Sequence, residues 1–198
     1  MKRVVIVFPG IGYTAEKPLL YYGLNVACEC GYEEYRKLTF APREKSNIRG
    51  NKTAMKAAFE ELYEQAEGQL RDIDWNQYDD ILFMSKSIGT IIACAYANEN
   101  RIMNVKHVLY TPLTYTYQYK IQNAIAFIGT EDAWCDCQEV VKLSEGAGVP
   151  INVFNKCNHS LETEKDVRGN IDRLSEIMKM TRDYLDYGNS CFAVNGNR

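Results

Sequence analysis

Residues 81–97 read ILFMSKSIGTIIACAYA, and the fold is decided there. Ile81–Met84 is apolar without alternation, the pattern of a strand covered on both faces. Ile88–Ala97 stays apolar for longer than a strand usually runs, which predicts a buried helix. Only Ser85-Lys86-Ser87 lies between them, so the strand must enter the helix through a sharp turn. Outward from this unit, similar runs stand at Val4–Phe8, Val108–Tyr110, Ala124–Ile128 and Ile151–Phe154, with Tyr35–Phe40 as a weaker sixth. Helical segments fill most intervals. In Lys52–Leu70 the residues Met55, Ala58, Phe59, Leu62, Ala66 and Leu70 recur three and four apart, and Glu162–Leu185 carries a stripe of Ile171, Leu174, Ile177, Met178 and Leu185. Strands alternating with helices pair in parallel through right-handed crossovers. The expectation is an α/β fold: a doubly wound, mostly parallel six-stranded sheet with helices on both faces.

A chain of 198 residues with 46% hydrophobic content is expected to form one domain over 1–198, with the tail 186–198 loosely ordered. The net charge of −3, with basic residues scattered, offers no footprint for a phosphate backbone, so no nucleic-acid partner is expected. Lys2-Arg3 before Val4–Phe8 mimics the start of a signal peptide, but Pro9-Gly10 ends the apolar run far short of a signal core or a membrane span. A soluble, cytoplasmic monomer or small homo-oligomer with no membrane partner is expected. Seven cysteines, an odd count, then read as reduced thiols, with Cys94 in the core and Cys28-x-Cys30 explained by packing near a helix end.

If the second strand lies on one side of the first and the third on the other, a crevice opens between strands one and three at their carboxyl ends. Pro9-Gly10-Ile11-Gly12 and Ser85-Lys86-Ser87-Ile88-Gly89 meet there. Ser87, with small residues two before and two after it, resembles the nucleophile elbow of the α/β-hydrolase family, with Ser85 in place of the first glycine of G-x-S-x-G. The competing reading is a serine that caps the following helix. A serine hydroxyl needs a base, and there are two histidines. His107 is expected at the amino end of its strand, opposite the crevice, whereas His159 follows the last strand at its carboxyl end. Asn158-His159-Ser160-Leu161-Glu162 also looks like the family's histidine loop.

The resemblance implies an acid after the penultimate strand, and Asp132 in Gly129-Thr130-Glu131-Asp132 takes that position, with Glu131 and Asp136 as rivals or helix caps. It implies an oxyanion hole from the backbone N–H groups of Ile88 and Ile11, with Gly12 as the alternative to Ile11. The implied activity is hydrolysis of a small ester or related acyl substrate, without a cofactor or metal and without a cap domain. Thr111–Asn123, where caps commonly enter, has room for only one or two helical turns. Tyr13 is a further candidate beside the site. Tyr115, Tyr117 and Tyr119 either line the acyl pocket or form an edge strand or surface loop. Lys86 is expected to be solvated, where it could also receive an anionic substrate.

Two other functions compete. Gly10-x-Gly12-x-x-Ala15 after a first strand fits the dinucleotide fingerprint, although Pro18 would break its helix and Tyr35–Phe40 ends in Ala41-Pro42-Arg43 without an acidic residue. In the hydrolase reading Pro18 opens the helix. Cys135-x-Cys137 with Cys157-x-His159 could form a Cys₃His metal site or a redox switch, but a ligating His159 could not act as base.

Overall fold

The computed structural model describes residues 1–43 and 48–188. Six strands, β1 (Arg3–Phe8), β2 (Glu34–Lys37), β3 (Asp80–Lys86), β4 (Val105–Tyr110), β5 (Asn123–Gly129) and β6 (Ile151–Phe154), form one sheet in the order β2-β1-β3-β4-β5-β6. Every pairing is parallel, so the sheet is parallel throughout. The helices are α1 (Pro18–Glu29), α2 (Lys52–Leu70), α3 (Ile88–Glu99), α4 (Cys137–Gly146) and α5 (Val167–Tyr187).

Strand alternation explains the apolar runs. Val5, Val7, Leu82, Met84, Val108 and Tyr110 face Leu20 and Leu24 of α1 and Ile177 and Tyr184 of α5. Val4, Ile6, Phe8, Ile81 and Phe83 face Leu62 and Ala66 of α2 and Ile92 and Tyr96 of α3. With a helical layer on each side, the central strand positions are almost all apolar, and a polar side chain among them is costly unless it finds a partner. Each aliphatic side chain so buried stabilises the fold by roughly 1.5–3 kcal/mol.

Three boundaries differ from expectation by three residues or more. β2 ends at Lys37 rather than Phe40 because α2 takes over the backbone beyond it. Gln69 pairs with both polar groups of Thr39, at 2.9 and 3.0 Å, and Gln65 does the same for Ala41 at 2.9 and 3.2 Å. α5 starts five residues later than expected, because Leu161 and Lys165 adopt φ of 59° and 60° and Asp166 caps the helix through Gly169 N–H at 3.0 Å. β4 starts at Val105, which draws His107 into the sheet opposite Phe83. At the other end of the chain, α5 continues through Tyr187, so the start of the expected loose tail is helical. Residues 189–198 lie outside the described residues.

The interval after β4 holds a single 3₁₀ turn, Thr114–Gln118, and among the described residues no connection folds as a cap. No helix among them is long and apolar enough to cross a membrane.

Candidate active site

β1 and β3 are neighbours whose connections leave in opposite directions across the sheet, and the switch point lies at their carboxyl ends. Ser87 stands there, between the last residue of β3 and the first of α3, with φ 59° and ψ −128°. A non-glycine residue in such a conformation costs on the order of 1–3 kcal/mol and persists only where its surroundings hold it. Gly89 is part of that hold. A Cβ on it would stand 2.4 Å from the Phe8 carbonyl oxygen, so only glycine lets α3 start against the end of β1. Ser87 makes no side-chain capping bond to α3. Its Oγ lies instead 2.8 Å from Nε2 of His159.

His159 is carried by a turn built on Asn158, whose Oδ1 accepts from Ser160 N–H at 2.7 Å and from Glu162 N–H at 3.3 Å. On the far side of the ring, Nδ1 lies 2.6 Å from Oδ2 of Asp132. The other oxygen of Asp132 accepts from Trp134 N–H at 2.8 Å, and the carboxylate is shielded from solvent. A carboxylate that can only accept assigns the proton to Nδ1, leaving the Nε2 lone pair for the serine hydroxyl. Burial lowers the imidazole pKa below its ordinary value, against the opposing pull of Asp132. Of the rival acids, Glu131 is exposed, and Asp136 caps α4 through Gln138 and Glu139 N–H at 2.8 and 3.2 Å.

A cavity of about 210 Å³ opens at Ser87, with Ile11, Gly12, Tyr13, Ile88 and Trp134 among its walls. Gly10 and Tyr13 pair backbone to backbone, which puts Ile11 and Gly12 at the tip of a tight turn facing the first residue of α3. Tyr13 turns its hydroxyl away to accept from Leu19 N–H at 3.1 Å, and burial pushes its phenol up to about 12. Tyr115 and Tyr117 do not line this cavity. They lie on the 3₁₀ turn, in the wall of a larger cleft of about 570 Å³ that shares Met55, Leu113 and Trp134 with the smaller one.

Lys86 is not the solvated side chain expected. It is 1% exposed, with its ammonium donating to the main-chain carbonyl of His159 at 2.8 Å, because the closing histidine loop and the Tyr13 ring cover the end of β3. Cys28 is exposed, so packing does not explain it, whereas Cys30 ends α1 against the core. Trp134, Met55 and Leu113 are site residues that sequence reasoning does not single out. The Trp134 ring stands 5.5 Å from that of His159 at 31°. A large aromatic two residues beyond the candidate acid, in a turn short of other apolar residues, is the available signal for it.

The competing functions find little footing. α1 begins at Pro18, six residues after Gly12, so the glycine turn does not open the helix as phosphate binding at a helix start requires. Both ring nitrogens of His159 are engaged, Cys157 Sγ donates to Asn155 O at 3.2 Å and Cys135 Sγ to Pro112 O at 3.8 Å. Among the described residues no three His, Cys, Asp or Glu side chains gather around a metal position.

No family model matches this chain, and no curated protein matches it by sequence. Solved structures do. An esterase of Pyrococcus furiosus superposes with a TM-score of 0.62 at 13% identity, over 93% of this chain and 83% of that one. An alpha-beta serine hydrolase homologue from Coxiella burnetii gives 0.59 at 15%, over 93% and 85%. A serine hydrolase without lid from Xanthomonas campestris gives 0.55 at 14%, over 92% and 82%. At these identities the likeness is one of architecture. The chain has the α/β-hydrolase fold.

Proposed function

We propose that this chain is a cytoplasmic serine hydrolase that cleaves a small carboxylic ester or related acyl substrate, thioesters included, through an acyl-enzyme on Ser87. The observation that carries the reading is the His159 ring bridging Ser87 Oγ and Asp132 Oδ2 at 2.8 and 2.6 Å. A hydroxyl within hydrogen-bond reach of a neutral imidazole can lose its proton to Nε2 as Oγ attacks the acyl carbon. Asp132 holds the tautomer and stabilises the imidazolium that forms. The tetrahedral oxyanion is received by the N–H groups of Ile88 and Ile11, which flank the cavity. Collapse breaks the bond to the leaving group, which takes the proton from Nε2. Water then enters, gives its proton to Nε2 and attacks the acyl carbon, and the carboxylic acid leaves as Oγ recovers its proton. Each step is carried by groups of the chain itself. The esterase and serine hydrolase names of the structural neighbours support the same class.

The test is labelling of the folded protein with a fluorophosphonate followed by peptide mapping. Modification of Ser87, abolished by Ser87→Ala, is expected. An unmodified Ser87 in folded protein overturns the reading.

A further inference from the structure

Lys86 is a buried cation at the site for which the steps above have no use. Strand alternation sends its side chain to the α1 and α5 face, the side of Leu82 and Met84. Its stem passes Gly10, where a Cβ would stand 3.6 Å from Lys86 Cδ and 3.1 Å from Ser87 Cβ. The ammonium ends 4.9 Å from the centre of the Tyr13 ring and 2.8 Å from the carbonyl oxygen of His159. Taking an ammonium out of water is costly, and a methionine of similar length would fill the same space without that penalty. Packing alone therefore does not account for a lysine here.

On the serine hydrolase reading given above, we propose that Lys86 is a positioning residue, whose ammonium holds the main-chain carbonyl of His159 and thereby fixes the imidazole between Ser87 and Asp132. A charge-assisted bond of this kind is stronger and more directional than a neutral one, and it joins the nucleophile's own strand to the loop that carries the base. A base displaced by about 1 Å can cost on the order of a hundredfold in rate. The same charge acts on the ring directly, since a cation beside an imidazole disfavours its protonation.

The groups facing the ammonium are Tyr13 from the β1–α1 turn, Asp132 and Cys135 from the loop after β5, His159 from the loop after β6, and Tyr110 beside it on β4. Burial lowers Lys86 to about 7, against Asp132, which favours the cation. The working state is the ammonium form, with His159 neutral. Rate should therefore fall on the acid side as His159 takes a proton, and on the alkaline side near 7 as Lys86 loses one.

The experiment uses Lys86→Met in the full chain, with three readouts: the rate of fluorophosphonate labelling of Ser87 against pH, the titration of the two histidine rings by NMR, and the melting temperature. Labelling is expected to slow by about tenfold to a hundredfold. The alkaline limb should disappear, the His159 midpoint should rise, and melting should not fall. A variant with unchanged rate, both limbs in place and an unmoved His159 midpoint overturns the proposal. Should Lys86→Met fail to fold, Lys86→Gln keeps a donor without the charge, and a rise in its His159 midpoint supports the proposal while an unmoved midpoint overturns it. If wild-type Ser87 is not labelled, it is the hydrolase reading that fails, and the His159 midpoint still decides whether Lys86 acts on that ring.

Discussion

One histidine, His107, lies inside β4 and the other, His159, beyond the carboxyl end of β6; both are pushed below the ordinary imidazole pKa by burial, yet they are chemically unlike. His107, inside β4, rests edge-on against Phe83 at 5.7 Å, and its Nδ1 has no hydrogen-bond partner among the described residues. Burial alone acts on it, lowering its pKa to about 4. His159, at the carboxyl end, has a carboxylate on one nitrogen and a hydroxyl on the other. Burial keeps an imidazole neutral. Only the partners aim its lone pair at a proton and stabilise the cation that results. A lowered pKa is therefore no mark of a base by itself, and position on the sheet separates the two residues better than titration does.

Substitution should separate them most sharply. Ser87→Ala and His159→Ala are each expected to reduce turnover by several orders of magnitude, with little further loss in the double variant, because the members of such a set act as a unit. Asp132→Asn should lose about 10⁴-fold, since it favours the wrong tautomer, while Glu131→Gln should be near wild type. His107→Phe should leave kcat within about twofold, as an aromatic swap far from the cavity. Steady-state kinetics on one soluble ester tests all of these variants side by side. A large loss in His107→Phe with intact folding would erase the contrast between the two histidines.

The pH response divides along the same line. Because the His159 pKa is lowered, the acid limb of kcat/KM should fall below the ordinary imidazole value near 6.5. His107 acts on stability instead. With a folded pKa of about 4, its unfolded form takes up a proton first as pH falls, so the fold loses stability between 6.5 and 4. The contribution at stake is on the order of 3 kcal/mol. Denaturant titrations from pH 7 to pH 4 should show a shallower decline for His107→Phe than for wild type, while the acid limb of its rate remains in place. Equal declines would remove His107 as the source.

The contrast between the two histidines also marks what could be read without coordinates. The continuous runs Val4–Phe8 and Ile81–Met84 carry the parallel sheet, because covering on both faces leaves no polar alternation to confuse the pattern. Ser85-Lys86-Ser87 shows the strand-to-helix turn, because too few residues remain for any slack. Lys86 was illegible for the opposite reason. A lone lysine has the same letter whether solvated or enclosed, and its burial depends on Tyr13 and His159, two residues far from it in the chain that meet it only at the end of β3. The end of β2 was hidden similarly, since Gln65 and Gln69 look like an exposed helix face until they meet the backbone of Thr39 and Ala41.

The smallest expected effect concerns substrate length, and it contrasts the two cavities rather than the two histidines. The space at Ser87 is about 210 Å³, below the usual range of roughly 300–1,000 Å³ for sites that enclose drug-sized ligands. Among the described residues no cap covers it, so a long acyl chain would lie partly in water. Each methylene gains about 0.8 kcal/mol only if it leaves water, a factor of about four in rate if the gain is felt in the transition state. Wild type should therefore favour short p-nitrophenyl esters, with preference flattening as chains lengthen and no jump in rate at the aggregation limit. Trp134 stands in the shared wall between this space and the cleft of about 570 Å³ beyond. Trp134→Ala should join the two and raise the ratio of long-chain to short-chain kcat/KM by about fourfold for each methylene newly enclosed, whatever it does to the absolute rate through the lost contact with His159. A wild-type preference for the longest chains would show that the two cavities already act as one, and an unchanged ratio in Trp134→Ala would show that this wall does not set the limit.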